Sequence, residues 1–182
     1  MGIDRIVLIG YRATGKTTLA KLLAERLGWK WVDADVEIER RAGCTIAEMF
    51  ADKGEPAFRD LEAAVIADLC RTPRLVLAAG GGAPLRPESR EAMRRGGFVV
   101  WLTAEPETIH RRMTGDVTTA GRRPSLTEKD PLAEIVHLLE ARTPVYLETA
   151  HCTIDTEGRA PAEIATEIAE RFEKCASEGT SV

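Results

Sequence analysis

Five short apolar runs punctuate the chain: Ile6-Val7-Leu8-Ile9, Trp29-Lys30-Trp31-Val32, Leu75-Val76-Leu77-Ala78, Phe98-Val99-Val100-Trp101-Leu102 and Cys152-Thr153-Ile154. Each has the length of a buried strand. Three are nearly unbroken, as parallel strands covered on both faces tend to be. Between them apolar residues recur at helical spacing: Leu19, Leu22, Leu23 and Leu27, then Leu61, Val65 and Leu69. Ile164, Ile168 and Phe172 form the stripe of a closing helix, with Pro161 near its start. Strands alternating with helices predict an α/β fold: an open parallel sheet with helices on both faces. One interval breaks the pattern. Thr114 to Ser125 is small and polar, with a pair of arginines beside a proline. It reads either as a surface loop or as a mobile lid over a phosphate site.

Composition narrows the field. A chain of 182 residues, 44% hydrophobic and 30% charged, suits one globular domain with a proper core. The net charge of −4 offers no footprint for nucleic acid or an anionic membrane. No apolar run approaches the ~20 residues that span a bilayer. Met1 to Arg5 leads into a short run with no small-residue cleavage site, which reads as a first strand and not a signal peptide. A cytoplasmic chain is the expectation. Cys44, Cys70, Cys152 and Cys175 lie far apart, and no histidine pairs with them at ligand spacing. Free thiols in a reducing compartment are expected, and no zinc site.

The strongest chemical signal is Gly10-Tyr11-Arg12-Ala13-Thr14-Gly15-Lys16-Thr17, a complete G-x-x-x-x-G-K-[ST] motif with a strand before it and a helix after it. Gly10 and Gly15 let the backbone wrap phosphate oxygens, while the helix N-terminus adds its positive dipole end. Lys16 would reach the β- and γ-phosphates, and the Thr17 hydroxyl can ligate Mg²⁺. A phosphate loop by itself does not separate kinases from GTPase switches or motor ATPases. No NKxD is present, and the one DxxG, Asp155-Thr156-Glu157-Gly158, comes after the last strand. The strand from Leu75 runs into Gly80-Gly81-Gly82 and not into the Asp-Glu of a motor ATPase. A small-molecule kinase remains.

The acceptor side is read from three features. Val32-Asp33-Ala34-Asp35 places two carboxylates at a strand's C-terminal end, where ligands bind in open α/β sheets. In an extended segment both would point the same way, one holding Mg²⁺ through water and the other accepting a hydrogen bond from the attacking hydroxyl. The alternative is that one of them caps the helix over Val36-Glu37-Ile38-Glu39. Gly80, Gly81 and Gly82 would let a ligand touch backbone. Arg59 and Arg142 are either solvated helix residues or anion contacts.

Taken together these segments resemble the shikimate kinase family, in the nucleoside-monophosphate-kinase-like branch of phosphate-loop enzymes. The likeness runs from about residue 5 to about residue 172. It rests on the phosphate loop, Asp33-Ala34-Asp35, Phe58-Arg59-Asp60-Leu61-Glu62, Gly80-Gly81-Gly82-Ala83, Arg123-Pro124 and Arg142-Thr143-Pro144-Val145-Tyr146. The resemblance implies a three-layer α/β/α fold with a five-stranded parallel sheet in the order 2-3-1-4-5 and a mobile lid. It implies one domain over residues 1–176, with the lid at about 112–125, an acceptor-binding region at about 33–61 and a flexible tail over 177–182.

The implied reaction is ATP- and Mg²⁺-dependent phosphorylation of the 3-hydroxyl of shikimate, on the route to chorismate. The resemblance assigns catalysis to Lys16, Asp35 and Arg123, the last reaching the transferring phosphate from the lid. ATP would lie on Ala13, Thr14, Gly15, Lys16, Thr17 and Thr18, with Arg112 and Arg159 on the adenine side. Asp35, Arg59, Gly80, Gly81, Gly82 and Arg142 would bind shikimate, the two arginines clamping its carboxylate. Thr17 and Asp33 would hold the metal. The partners are then two small molecules, ATP and shikimate, acting on a monomer. The competing readings are another small-molecule kinase, of gluconate or nucleotide type, and a non-catalytic phosphate-loop module. Two positions depart from the family pattern. Ala13 stands where glycine is common, and Arg12 replaces a usually apolar residue.

Overall fold

The computed structural model describes residues 2–115 and 130–178. Most of the expected lid, including Arg123, and residues 179–182 of the expected tail lie outside the described residues.

Alternation along the first strand explains the layering. In β1 (Arg5–Ile9) every residue is buried. Ile6 and Leu8 face one side of the sheet, while Val7 and Ile9 face the other. β1 pairs in parallel with β3 (Leu75–Ala78) on one side and β4 (Gly97–Thr103) on the other, so Val7 sits level with Leu77 and Val99. β2 (Lys30–Asp33) and β5 (Cys152–Asp155) close the two edges, giving the order β2-β3-β1-β4-β5. The central strands are covered twice over and carry unbroken apolar runs. The edge strand β2 shows Lys30 and Trp31 exposed. Trp29, expected in that strand, lies outside it and packs its ring edge-on to Phe172 at 5.2 Å.

One layer consists of α1 (Lys16–Leu27) and α7 (Pro161–Ser177), which bury Leu19, Leu23, Ile164 and Ile168 against Ile6, Leu8, Val76 and Val100. The other contains α2 (Ala34–Ala42), α3 (Ile46–Leu69), α4 (Pro87–Arg94) and α6 (Pro131–Thr149), with Ile38, Phe58, Ile66, Met93 and Tyr146 on Val7, Leu77 and Val99. α5 (Pro106–Gly115) contributes Ile109 to a small third cluster with Tyr11 and Ile135.

Two local breaks shape the ligand-facing end. β2 gives way to helix at Ala34, so the expectation of an extended Asp33-to-Asp35 segment is corrected: Asp33 is the N-cap and Asp35 sits in the first turn of α2. α3 opens with a Thr45–Glu48 capping box and kinks at Gly54, whose φ of 75° leaves helical space just before Pro56. The second half of α3 therefore begins a new helical direction, and Phe58 to Glu62 form its early turns.

Candidate functional site

The phosphate loop spans the turn from β1 into α1. Gly10 has φ 137°, and a Cβ there would stand 2.4 Å from the Leu102 carbonyl oxygen, so no other residue fits without moving β4. Gly15 precedes α1 and offers no side-chain cap, and the first turn of α1 carries no acid. Its leading amides are thus left for an external anion. Lys16 Nζ donates to the carbonyls of Gly10 at 2.9 Å and Tyr11 at 2.7 Å, spanning the loop its charge would serve. Ala13 occupies left-handed space at φ 62°. That conformation costs an L-residue roughly 1–2 kcal/mol, which glycine avoids. The departure at Ala13 therefore leaves the loop's shape intact at a cost in stability.

Asp33 caps α2, and its two oxygens divide their contacts. Oδ1 accepts from the Asp35 and Val36 amides at 3.0 and 3.4 Å, capping α2. Oδ2 accepts from the Thr17 hydroxyl at 2.6 Å, tying the second strand's end to the phosphate loop. A hydroxyl and a carboxylate held together beside phosphate-binding amides are hard oxygen donors suited to Mg²⁺. No group of three or more His, Cys, Asp or Glu side chains is set to hold a metal among the described residues. A cation that takes most of its coordination from phosphate and water requires no such group. Asp35, one helical step on, faces the same cavity.

The acceptor end is assembled from distant segments. Arg59, placed by the second half of α3, pairs Nη1 with Glu62 at 2.6 Å and Nη2 with Glu55 at 3.0 Å. Burial works against the Arg59 charge, but the Glu62 and Glu55 carboxylates outweigh it and hold its pKa above the ordinary guanidinium value. The guanidinium rests on the backbone of Gly82, where a Cβ would come within 2.3 Å of Nη1. Arg142 approaches from α6, its guanidinium 5.7 Å from the Tyr11 ring centre. A Cβ on Gly81 would lie 3.6 Å from Arg142 Nη1 and 3.2 Å from the Gly10 carbonyl oxygen. Two arginines from α3 and α6 thus converge on one glycine turn, which itself abuts the phosphate loop.

At the opposite end, Arg112 donates to the Ala13 carbonyl at 3.3 Å and to the Thr156 hydroxyl and carbonyl, each at 3.2 Å. Arg159 pairs with Glu167 at 2.7 Å and donates to the Asp155 carbonyl. Pro161 and Ile164 add an apolar wall beside them. In the sequence Thr156 belongs only to the late DxxG. It is buried, held to the Thr103 carbonyl at 2.8 Å, and it supports Arg112. Phe50, Glu55 and Leu138 also line the cavity and carry no local sequence signal. Arg12 finds a place too: its guanidinium lies 3.7 Å from the largely buried Glu134 of α6 and flanks the same Tyr11 ring as Arg142.

One cavity of about 630 Å³ lies between these segments. It brings together Ala13, Thr14, Gly15, Lys16, Thr17, Thr18, Asp33, Asp35, Arg59, Gly80, Gly81, Arg112, Arg142 and Arg159. Gly82 is absent from the lining and serves as the seat of Arg59. Arg123 is not among the described residues.

The family model for shikimate kinase matches residues 12–173. The shikimate kinase of Symbiobacterium thermophilum is 45% identical over 174 residues, covering 96% of this chain and 99% of that protein. That of Rhodopirellula baltica is 45% identical over 165 residues, 91% of this chain and 88% of that one. Among solved structures, the shikimate kinase from Acinetobacter baumannii in complex with shikimate superposes with a TM-score of 0.88 at 37% identity, covering 94% of each chain. A gluconokinase from Sinorhizobium meliloti reaches a TM-score of 0.59 at 14% identity over 98% of this chain and 97% of that one, a likeness of fold alone.

Proposed function

The chain belongs to the shikimate kinase family, and from that premise we propose that it transfers the γ-phosphoryl group of ATP to the 3-hydroxyl of shikimate, giving shikimate 3-phosphate and ADP. The observation that carries this reading is the single cavity joining the phosphate loop to a carboxylate-seeking arginine pair, with Asp35 lining it as well. ATP lies with its phosphates on the amides of residues 13–18 and its base between Arg112, Arg159 and the Pro161–Ile164 wall. Arg59 and Arg142 take the shikimate carboxylate through paired guanidinium contacts beside Gly81, which directs the ring hydroxyls towards Asp35.

Transfer is then a matter of positioning and charge. Asp35 accepts a hydrogen bond from the attacking hydroxyl and takes its proton as the P–O bond forms. Lys16 exchanges its bonds to the Gly10 and Tyr11 carbonyls for phosphate oxygens. The resemblance assigns Arg123 to the transferring phosphoryl group, where its charge would balance that building towards the leaving ADP oxygen. Thr17 and Asp33 would hold Mg²⁺, and the ion would supply neutralising charge to the phosphates. We read the protein as a cytoplasmic monomer serving two small-molecule substrates. No helix among the described residues is long and apolar enough to cross a membrane.

The test is a coupled ADP-release assay with shikimate, quinate, gluconate and nucleoside monophosphates as acceptors. Turnover with shikimate in clear preference is expected. Turnover with another acceptor and none with shikimate would overturn the assignment.

A further inference from the structure

Tyr146 is fully buried, yet it carries a hydroxyl that burial leaves expensive unless bonded. That hydroxyl donates to the Gly81 carbonyl at 2.5 Å across 65 positions of sequence. The ring is fixed independently, packed at 5.6 Å against Trp101 of β4. Tyr146 lies four residues after Arg142 on α6, so one helix supplies both the guanidinium beside Gly81 and the bond that holds Gly81. The Gly80 and Gly82 carbonyls accept from the Ala83 and Leu85 amides, each at 3.0 Å, which leaves the Gly81 carbonyl between them to Tyr146. Gly80, Gly81 and Gly82 have no side chains to pack, and among the described residues the amides of Gly81 and Gly82 donate to no backbone carbonyl. A peptide plane is rigid, so orienting the Gly81 carbonyl orients the Gly82 amide in the opposite direction and sets the seat of Arg59.

We propose that Tyr146 is a positioning residue for acceptor binding: its hydroxyl locks the Gly80–Gly82 turn against α6, so that Gly81, Arg142 and Arg59 present a preformed carboxylate site. This rests on the reading of shikimate as acceptor. Tyr146 touches neither substrate and does no chemistry; it spares the acceptor the cost of ordering a glycine turn on arrival.

The test is Tyr146→Phe, which keeps the ring and its packing and removes one oxygen. Equilibrium binding of shikimate and of ATP is measured separately by calorimetry, alongside KM and kcat. Loss of one buried bond predicts a shikimate Kd and KM raised roughly tenfold, with ATP Kd within about twofold and kcat at saturating shikimate little changed. An unchanged shikimate Kd would overturn the proposal. Equal losses for both ligands would overturn it too, since a general loosening of the fold does not choose between them. Failure of the acceptor assignment is distinguishable, because the wild-type protein would then bind no shikimate at all.

Discussion

The phosphate cradle and the acceptor clamp share one cavity but are built by opposite means. The cradle is nine consecutive residues, 10–18, proposed to bind through their backbone, with a shape that follows from glycines at fixed spacing and the start of a helix. The clamp draws Asp35 from α2, Arg59 from α3, the glycine turn after β3 and Arg142 from α6. It is held by side chains: the Arg59 pairs to Glu55 and Glu62, Arg142 near the Tyr11 ring, and the Tyr146 bond. A cradle made of main chain places few demands on its side chains, so Ala13 and Arg12 leave its glycines and lysine in place. A clamp made of converging side chains depends on what lies behind each one.

Four changes test that contrast. The largest effect is expected where the two regions meet, at the reacting hydroxyl. Asp35→Asn should lower kcat by about 10²–10⁴-fold with both substrates still binding, as read by steady-state kinetics and ligand titration. A mutant that keeps near-normal kcat would remove Asp35 from the chemistry. Next, Gly82→Ala should break the clamp and spare the cradle. Its Cβ meets the flexible end of Arg59, so the arginine is displaced while the fold survives. Shikimate KM should rise about 10–100-fold, the worth of a charge-assisted bond, with ATP KM unchanged. A parallel rise in ATP KM would show that the two regions are not separable.

The third change addresses the cradle. Ala13→Gly relieves the left-handed strain at φ 62° and should stabilise the protein by up to about 1 kcal/mol in urea denaturation, with kcat preserved. A destabilised variant would mean that the methyl group packs usefully. The smallest effect is a pH dependence belonging to neither region. Burial, and then the nearby Arg94 charge, push His151 down from 6.5 to about 4. Its Nδ1 accepts the Val99 amide at 2.8 Å, so the neutral ring is the one that fits. The unfolded chain binds the proton first. Stability is therefore full above pH 6.5 and is lost as pH falls towards about 4. Melting temperatures across that window should drop less for His151→Gln, while shikimate and ATP affinities keep their ratio.

The same contrast governs what could be read in advance. The phosphate loop was legible because its glycines, lysine and threonine are consecutive and stand at fixed spacing before a helix. The three central strands were legible because burial on both faces leaves unbroken apolar runs, whereas the edge strand β2 is half-exposed and begins one residue after Trp29. Asp33 and Asp35 were seen as a pair, but on a geometry of extended chain that the N-cap at Asp33 replaces. Thr156 belongs in the sequence only to the late DxxG, and its place in the site comes from Arg112 across space; Glu55 takes its role from Arg59 one helical turn on, and Phe50 packs on Phe58.

By itself, then, the sequence determined the order of strands and helices, the phosphate cradle and the identity of the charged groups available to an acceptor. These follow from periodicity and from backbone requirements that act over a few residues. Tertiary structure alone decided that Arg59 stands on Gly82, that Arg12 reaches Glu134, and that Tyr146 holds Gly81 from 65 positions away. Those contacts depend on how two helices from distant parts of the chain pack over one sheet, and no local pattern encodes that packing.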